Sequence, residues 1–157
     1  MTVGQYYQYI ESLAANHVMM RHSDTEKHYF RGELEEFYMD LRNRVKFPAL
    51  IAESFEISFN GGVKTRETSF IVACNYPESK NWESIYFNLS LCERIGDDIL
   101  RRIMSDAGNG EICAEVEVLS AIPLLDEQHL YVGMRYTISI GCEFDWDVDE
   151  QAWIDLQ

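Results

Sequence analysis

The amino-acid sequence predicts an α+β fold in which helices cover one face of a four-stranded antiparallel sheet. Two kinds of periodicity support this prediction: apolar residues recur every three or four positions in three segments and every second position in four others. Strict alternation is typical of an antiparallel sheet with one buried and one wet face. The expected order of elements is α-α-β-β-α-β-β, in a single domain over residues 1–157.

The first two helical segments precede all of the predicted strands. The first helix is expected from Val3 to Met20, with an apolar stripe along one side. The second is expected to begin near Ser23, whose spacing to Glu26 fits a capping box. Its stripe has a clear helical period and comprises Phe30, Leu34, Phe37, Tyr38, Leu41 and Val45.

A corner and a third helix complete the helical part of the prediction. Phe47 and Pro48 are expected to form the corner from helix to strand, because the residue before proline favours extended geometry. The third helix is expected from about Asn81 to Met104. Gly96 lies inside this helix and lowers its stability by ~1 kcal/mol relative to alanine. It indicates either a close approach of this helix to the sheet or a glycine that is simply tolerated.

The four predicted strands form two pairs, one on each side of the third helix. Asn60-Gly61-Gly62 favours a reversal between the first two, because such turns need positive φ angles. The expected inward-facing residues are Ile51, Phe55, Ile57 and Phe59, then Phe70, Val72, Cys74 and Tyr76, then Ile112, Ala114, Val116 and Val118, and finally alternate residues from Val132 to Phe144.

Negative charge is concentrated at one end of the chain. The net charge is -14, of which residues 111–157 carry eleven acids against Arg135 alone. The carboxylates expected on the wet side of the sheet are Glu111, Glu115, Glu117, Glu143 and Asp145, followed by Asp147 and Asp149. This surface is either a solvated face or one presented to a basic or self-complementary partner, and specific nucleic-acid binding is not expected there.

The sequence contains no recognisable catalytic or cofactor motif. It lacks phosphate-binding glycine loops, nucleophile elbows and paired metal-binding histidines, and its four cysteines have none of the short spacings of zinc sites. We therefore expect no cofactor, no metal and no enzymatic activity. Glu53 is the one carboxylate expected on an apolar strand face, and there it is expected to hydrogen-bond a neighbouring helix end or subunit. An enzyme would instead need a deep pocket near Glu53 or a histidine and a carboxylate within hydrogen-bond reach. Without a signal peptide or an apolar run of ~18 residues, a soluble cytoplasmic protein is expected.

Four local patterns resemble those of a known group of proteins. They are the run from Phe47 to Glu53, the run from Cys92 to Leu100 with Asp106 after it, Val118 to Ile122, and Gly133 to Ile138. Together they resemble small phage-type proteins of prophage tail clusters in Bacteroides-like bacteria. More loosely, the layout is similar to tail-terminator and tail-completion proteins of long-tailed phages.

The resemblance implies a non-enzymatic assembly protein that forms a homo-oligomeric ring, with six subunits, at the end of a tail tube or between tail and head. Its partners would be other tail proteins, and it would be found in the cytoplasm or in the assembled virion. The alternative from the charge pattern is an acidic inhibitor or immunity-type module that neutralises a basic partner. The expected acidic rim consists of Glu143, Asp145, Asp147 and Asp149. Trp146 and Trp153 are expected either to contact a neighbouring subunit or to cover the edge of the core.

Overall fold

Two helices and five strands make up the part of the chain that the computed structural model describes, which comprises residues 1–31, 45–78, 81–112 and 115–144. The elements are α1 (Val3–Asn16), β1 (Lys27–Arg31), β2 (Val45–Asn60), β3 (Val63–Asn75), α2 (Trp82–Gly108), β4 (Glu115–Asp126) and β5 (Tyr131–Glu143). The predicted α+β class is therefore confirmed.

Both helices begin at side-chain caps that satisfy otherwise free backbone N–H groups. The Thr2 hydroxyl accepts from the Gln5 N–H while the Gln5 side chain accepts from the Thr2 N–H, which completes a capping box for α1. The Asn81 side chain accepts from the Ser84 N–H at 2.8 Å and begins α2. α1 ends at Asn16, one turn earlier than expected, whereas α2 continues to Gly108.

The described strands form one sheet in the order β1-β2-β3-β5-β4. β2, β3, β5 and β4 pair antiparallel with their neighbours, whereas β1 pairs parallel with β2. The tight reversal between β2 and β3 uses Gly61 and Gly62, whose φ angles are 56° and 84°. The predicted four-stranded antiparallel sheet is therefore present as β2 to β5, but the prediction was wrong in omitting the parallel strand β1.

The predicted second helix is wrong over residues 23–31. The Glu26 N–H does donate to the Ser23 hydroxyl, at 3.2 Å, but this bond closes a tight turn and β1 follows it. Tyr29 packs in the core beneath the helices, whereas Phe30 packs on the opposite face of the sheet. Consecutive residues buried on opposite faces are typical of a strand, so burial overrides the helical spacing. The expected helical residues Leu34, Phe37, Tyr38 and Leu41 lie outside the described residues.

Phe47 and Pro48 do not form a corner ahead of the first long strand. Both lie inside β2, which begins at Val45, and the peptide bond between them is cis. The pairing with β1 is irregular here: Lys27 lies opposite Val45 but Tyr29 lies opposite Leu50. An irregularity of this kind accommodates proline, which cannot donate a hydrogen bond to a regular strand ladder. The Pro48 carbonyl bonds the buried His28 ring at 2.8 Å.

The sheet has a helix side, covered by α1 and α2, and a far side. The core on the helix side includes Tyr6, Ile10, Leu50, Phe70, Val72, Ile95, Ile99, Tyr136 and Ile138. A smaller buried cluster lies on the far side and consists of Phe30, Ala49, Ile51, Ile71, Ala73 and Tyr131. The far side is therefore wet only over part of its area, where the strands extend beyond this cluster.

A β-bulge in β2 changes which residues share a face. Ala52 pairs with Phe70 and Phe55 pairs with Thr68, so Glu53 and Ser54 together lie opposite Ser69. As a result Ile51 belongs to the far-side cluster, whereas Phe55 packs against the core on the helix side. The expectation that these two residues share a face was wrong because a period-two reading assumes a strand without a bulge.

Candidate interaction surface

A transverse row of carboxylates crosses the wet part of the far side. Glu56 on β2 pairs with Glu67 on β3, Glu67 pairs with Ser139 on β5, and Ser139 pairs with Glu117 on β4. We call these four residues the acidic row. Because neighbouring strands lie about 4.8 Å apart, the row spans about 14 Å.

The acidic row brings negatively charged side chains close to each other, and it contains no basic residue. Glu56 and Glu67 lie directly opposite one another, an arrangement that destabilises a strand pair. Glu115 lies opposite Gly141 and Glu143 lies opposite Val63, so both carboxylates extend the same face beyond the row. All of these glutamates are exposed. The surface thus concentrates negative potential on one side of the sheet.

A groove of about 560 Å³ lies beside the acidic row on the far side. At one of its walls, Arg135 Nε donates to Glu53 Oε2 at 2.6 Å. Glu53 is therefore held in an ion pair on the far side, whereas the sequence predicted an apolar strand face for it. The Ser69 and Thr137 hydroxyls are 3.0 Å apart and complete a polar floor. The groove offers hydroxyls and paired charges, so it suits polar contacts with a partner.

The edge strand β4 exposes apolar side chains on both of its faces. Val118, Leu119, Ile122 and Leu125 are 43%, 44%, 44% and 47% exposed. Val118 and Leu125 lie on the helix side, since they pair with the buried residues Ile138 and Val132, whereas Ile122 pairs with Arg135 on the far side. We call these four residues the β4 apolar strip. An exposed apolar edge strand is typical of a surface that another chain covers.

Of the expected rim residues, the structure describes only Glu143, which ends β5 on the far side and is exposed. Asp145, Trp146, Asp147, Asp149 and Trp153 lie outside the described residues. Glu111 was expected on the wet face of a strand, and this expectation was wrong. It lies in the turn after α2, where its carboxylate is 4.0 Å from the Arg102 guanidinium.

Gly96 lies where α2 crosses the sheet. An added Cβ at this position would be 2.1 Å from Cε2 of Tyr136 on β5. The Tyr136 hydroxyl donates to the Glu93 carbonyl at 2.9 Å and lies 3.2 Å from Asp97 Oδ1, and burial raises its pKa. Of the two explanations for this glycine, the geometry favours the close approach of helix to sheet.

A second polar cleft, of about 330 Å³, lies between α1 and α2. Its centre is the buried carboxylate of Asp106, which accepts from the Tyr9 hydroxyl at 2.8 Å and from Arg102 Nε at 2.7 Å. Burial raises the pKa of Tyr9. Nearby, Nδ1 of His17 accepts from the Met19 N–H at 3.2 Å, and its Nε2 is 3.9 Å from Asp98. Because both Asp106 oxygens have partners, this cluster joins the helices and its carboxylate is not a free base.

The described cysteines are buried or half-buried thiols. Cys74 and Cys92 face each other in the core on the helix side, and their contact together with burial raises the pKa of Cys92. Cys142 is partly exposed, and Cys113 lies outside the described residues. Within the described ranges, no group of three or more His, Cys, Asp or Glu side chains is arranged to hold a metal ion, and no helix could cross a membrane.

Two components of this surface were not predicted from the sequence. Glu56 and Glu67 were placed on the polar faces of their strands, but only the register shows that they join Glu117 in one row. The alternation that predicted β4 was recognised only as far as Val118, whereas the strand continues to Asp126. The available signal was the apolar-rich segment from Val118 to Leu125, which only Ser120 and Pro123 interrupt.

No protein-family model matches the chain, and no curated protein matches it either.

Proposed function

We propose that this chain is a non-enzymatic assembly subunit that forms a homo-oligomeric ring, of the kind found in phage tail-terminator or head-tail joining proteins. The observation that carries the proposal is the β4 apolar strip. The strip exposes four large apolar side chains along one strand, and exposed apolar side chains on an edge strand commonly mark a surface that another chain covers. The strip lies at a sheet edge, where a neighbouring copy has access.

The acidic far side gives such a ring a surface past which DNA can move without binding. Binding to nucleic acid depends on Lys and Arg side chains that neutralise phosphates, and the acidic row has neither. The only arginine on the neighbouring strand β5 is Arg135, and Glu53 already neutralises it. The like-charged pair Glu56–Glu67 reduces fold stability, which is typical of a surface selected for a role other than stability.

The paired state of Glu53 also favours an assembly role over catalysis. An enzyme built around this residue would need its carboxylate available to a substrate, yet Arg135 Nε holds it at 2.6 Å. We therefore propose no cofactor and no chemical step. The partners of the ring would be other tail proteins, and the subunit would be cytoplasmic until it enters a virion.

Light scattering after size-exclusion chromatography tests the proposal, together with negative-stain imaging. We expect closed rings with a mass about six times that of the 18.3 kDa chain. The Ile122→Asp variant should shift the protein to monomers, because a charge cannot be buried at the interface. The exposed Glu56→Gln variant is the control and should keep the rings. A wild-type chain that remains an 18.3 kDa monomer at high concentration would contradict the proposal.

The acidic row supports a second candidate, an inhibitor or immunity-type module that binds a basic protein. Three glutamates along about 14 Å form a surface that suits a cluster of Lys or Arg side chains. A monomer that binds a basic protein in a one-to-one complex, with an association rate that falls steeply with salt, would favour this candidate over the ring.

A further inference from the structure

Arg66 on β3 is a buried arginine that forms no ion pair with any described residue. The residue is 2% exposed, and its side chain lies on the helix side of the sheet, because it pairs with the buried Ile140 on β5. Its Nη2 donates to the Met1 carbonyl oxygen, whereas Nε and Nη1 have no hydrogen-bond partner. A buried charge is costly unless a group of opposite charge compensates it.

The guanidinium of Arg66 lies at the N-terminus of α1, where the backbone also favours negative charge. Met1, which accepts the hydrogen bond from Arg66, directly precedes the N-cap residue Thr2. The N–H groups of Val3 and Gly4 have no acceptor among the described residues. Free N–H groups and the helix dipole make the start of a helix a favourable place for an anion.

No carboxylate among the described residues is bonded to this group. The first turn of α1 contains no acidic residue. The guanidinium carbon of Arg66 instead lies 5.9 Å from the centroid of the Phe55 ring. Glu111 lines a groove together with Met1, but its carboxylate is 4.0 Å from the guanidinium of Arg102. The described surroundings therefore leave the charge of Arg66 uncompensated.

The Met1 carbonyl oxygen lies where an oxygen of an anion could accept from Arg66. One carbonyl oxygen satisfies one N–H group, whereas the oxygens of a phosphate can accept from two nitrogens of the planar guanidinium at once. Nε and Nη1 remain available for such contacts. Met1 lies outside the helices and strands, so it can move aside without breaking the sheet or α1.

We propose that Arg66 and the N-terminus of α1 form a binding site for one phosphate group, with Met1 as its cover. The phosphate accepts from the guanidinium and from the N–H groups of Val3 and Gly4, and it compensates the buried positive charge. The site lies on the helix side of the sheet, away from the acidic row. The inference goes beyond the proposed ring and does not depend on it.

Thermal unfolding in inorganic phosphate, at constant pH and ionic strength, tests the site. A ligand that binds only the folded chain raises Tm, and we expect a rise of at least about 3 °C at about 20 mM phosphate. The Arg66→Met variant should show no such rise, because it lacks the guanidinium donors. Arg101→Met is the matched control: Arg101 is 70% exposed on α2, so this variant should keep the rise of the wild type.

The Arg66→Met variant should fold, because methionine suits apolar surroundings and its introduction removes an uncompensated buried charge. Calorimetric titration of the wild type is a second measurement that does not depend on any variant, and it should show one phosphate bound per chain. No binding to the wild type, or an equal rise in Tm for the wild type and Arg66→Met, would overturn the site.

A parallel titration with glycerol phosphate distinguishes two sources of the phosphate group. A rise in Tm with inorganic phosphate alone would support a site for the free ion. A rise with both compounds, again lost in Arg66→Met, would support a site for a phosphorylated ligand.

Discussion

At the scale of single residues, the packing of Gly96 against Tyr136 fixes how closely α2 approaches the sheet. The Tyr136 ring stacks on Phe70 with centroids 5.1 Å apart, and its hydroxyl is hydrogen-bonded to the Glu93 carbonyl. The ring is therefore held on both sides and cannot move without breaking one of these contacts. Its position leaves room for a hydrogen atom on residue 96 but not for a methyl group.

Gly96→Ala should destabilise the protein for this reason. Overpacking a core costs about 1–3 kcal/mol, which outweighs the ~1 kcal/mol that alanine gains over glycine in a helix. Urea unfolding followed by circular dichroism measures the difference. Gly4→Ala in α1 is the matched control: nothing lies within 4 Å of its added Cβ, so it should stabilise the fold. Equal stabilisation by both substitutions would contradict the packing argument.

His17 is a residue whose protonation should weaken the fold. Burial lowers its pKa below the ordinary 6.5, against the opposing effect of Asp98, and Nδ1 already accepts a hydrogen bond from the Met19 N–H. The unfolded chain therefore binds a proton more readily than the folded chain. The stabilising contribution of neutral His17 is complete above pH 6.5 and is lost as the pH falls from there toward the lower folded value.

The His17→Gln variant should lose part of this acid sensitivity, because Gln keeps an acceptor and does not titrate. Thermal unfolding at about pH 7.5 and about pH 5.5 measures the effect. We expect a smaller drop in Tm for the variant than for the wild type between these two values. The same drop in both proteins would show that His17 contributes nothing to the pH dependence.

At the scale of elements, the negative surface charge of the acidic row weakens the pairing between two strands. Glu67→Gln removes one of the two like charges that face each other between β2 and β3. The free energy of unfolding should rise by about 0.2–1 kcal/mol at low salt. The gain should shrink as added NaCl screens the repulsion between exposed carboxylates.

Glu143→Gln provides the comparison for that measurement. Glu143 is an exposed far-side glutamate on β5, but the residue opposite it is Val63, so no like charge is relieved. The difference in the free energy of unfolding between the Glu143→Gln variant and the wild type should therefore change little with salt. A salt-independent gain at Glu67, or an equal gain at Glu143, would contradict the interpretation that the direct pairing of Glu56 with Glu67 is costly.

Strong local periodicity predicted some elements well and failed for others. The stripe of α2 and the alternation of β3 and β5 predicted which residues pack in the core on the helix side, and the structure confirms these residues. The expectation that the other face of β3 and β5 is wet was wrong near one end, because Ile71, Ala73 and Tyr131 are buried on the far side. Phe30 shows why periodicity alone can fail. Its spacing fits a helix, but it packs on the far side while its neighbour Tyr29 packs beneath the helices. A parallel strand also has no hairpin turn next to it in the sequence that would identify it.

At the scale of the whole molecule, the position of the acidic surface could be predicted only in part. Composition placed the charge late in the chain, and alternation placed Glu117 and Glu143 on a wet face. Glu56 and Glu67 belong to an earlier hairpin, and they join Glu117 only because β5 lies between β3 and β4 in the sheet. Long-range strand order of this kind is not encoded in any local period. The bulge at Glu53 was missed for a similar reason, because it depends on the pairing with β3.

The acidic row also bears on how two copies of the protein approach each other before any contact forms. Two far sides brought face to face would oppose Glu56, Glu67 and Glu117 of one copy to the same residues of the other, so their repulsion should disfavour that orientation at low ionic strength. Added salt shortens the range of this repulsion, so unspecific sheet-to-sheet association should become more frequent as the salt concentration rises.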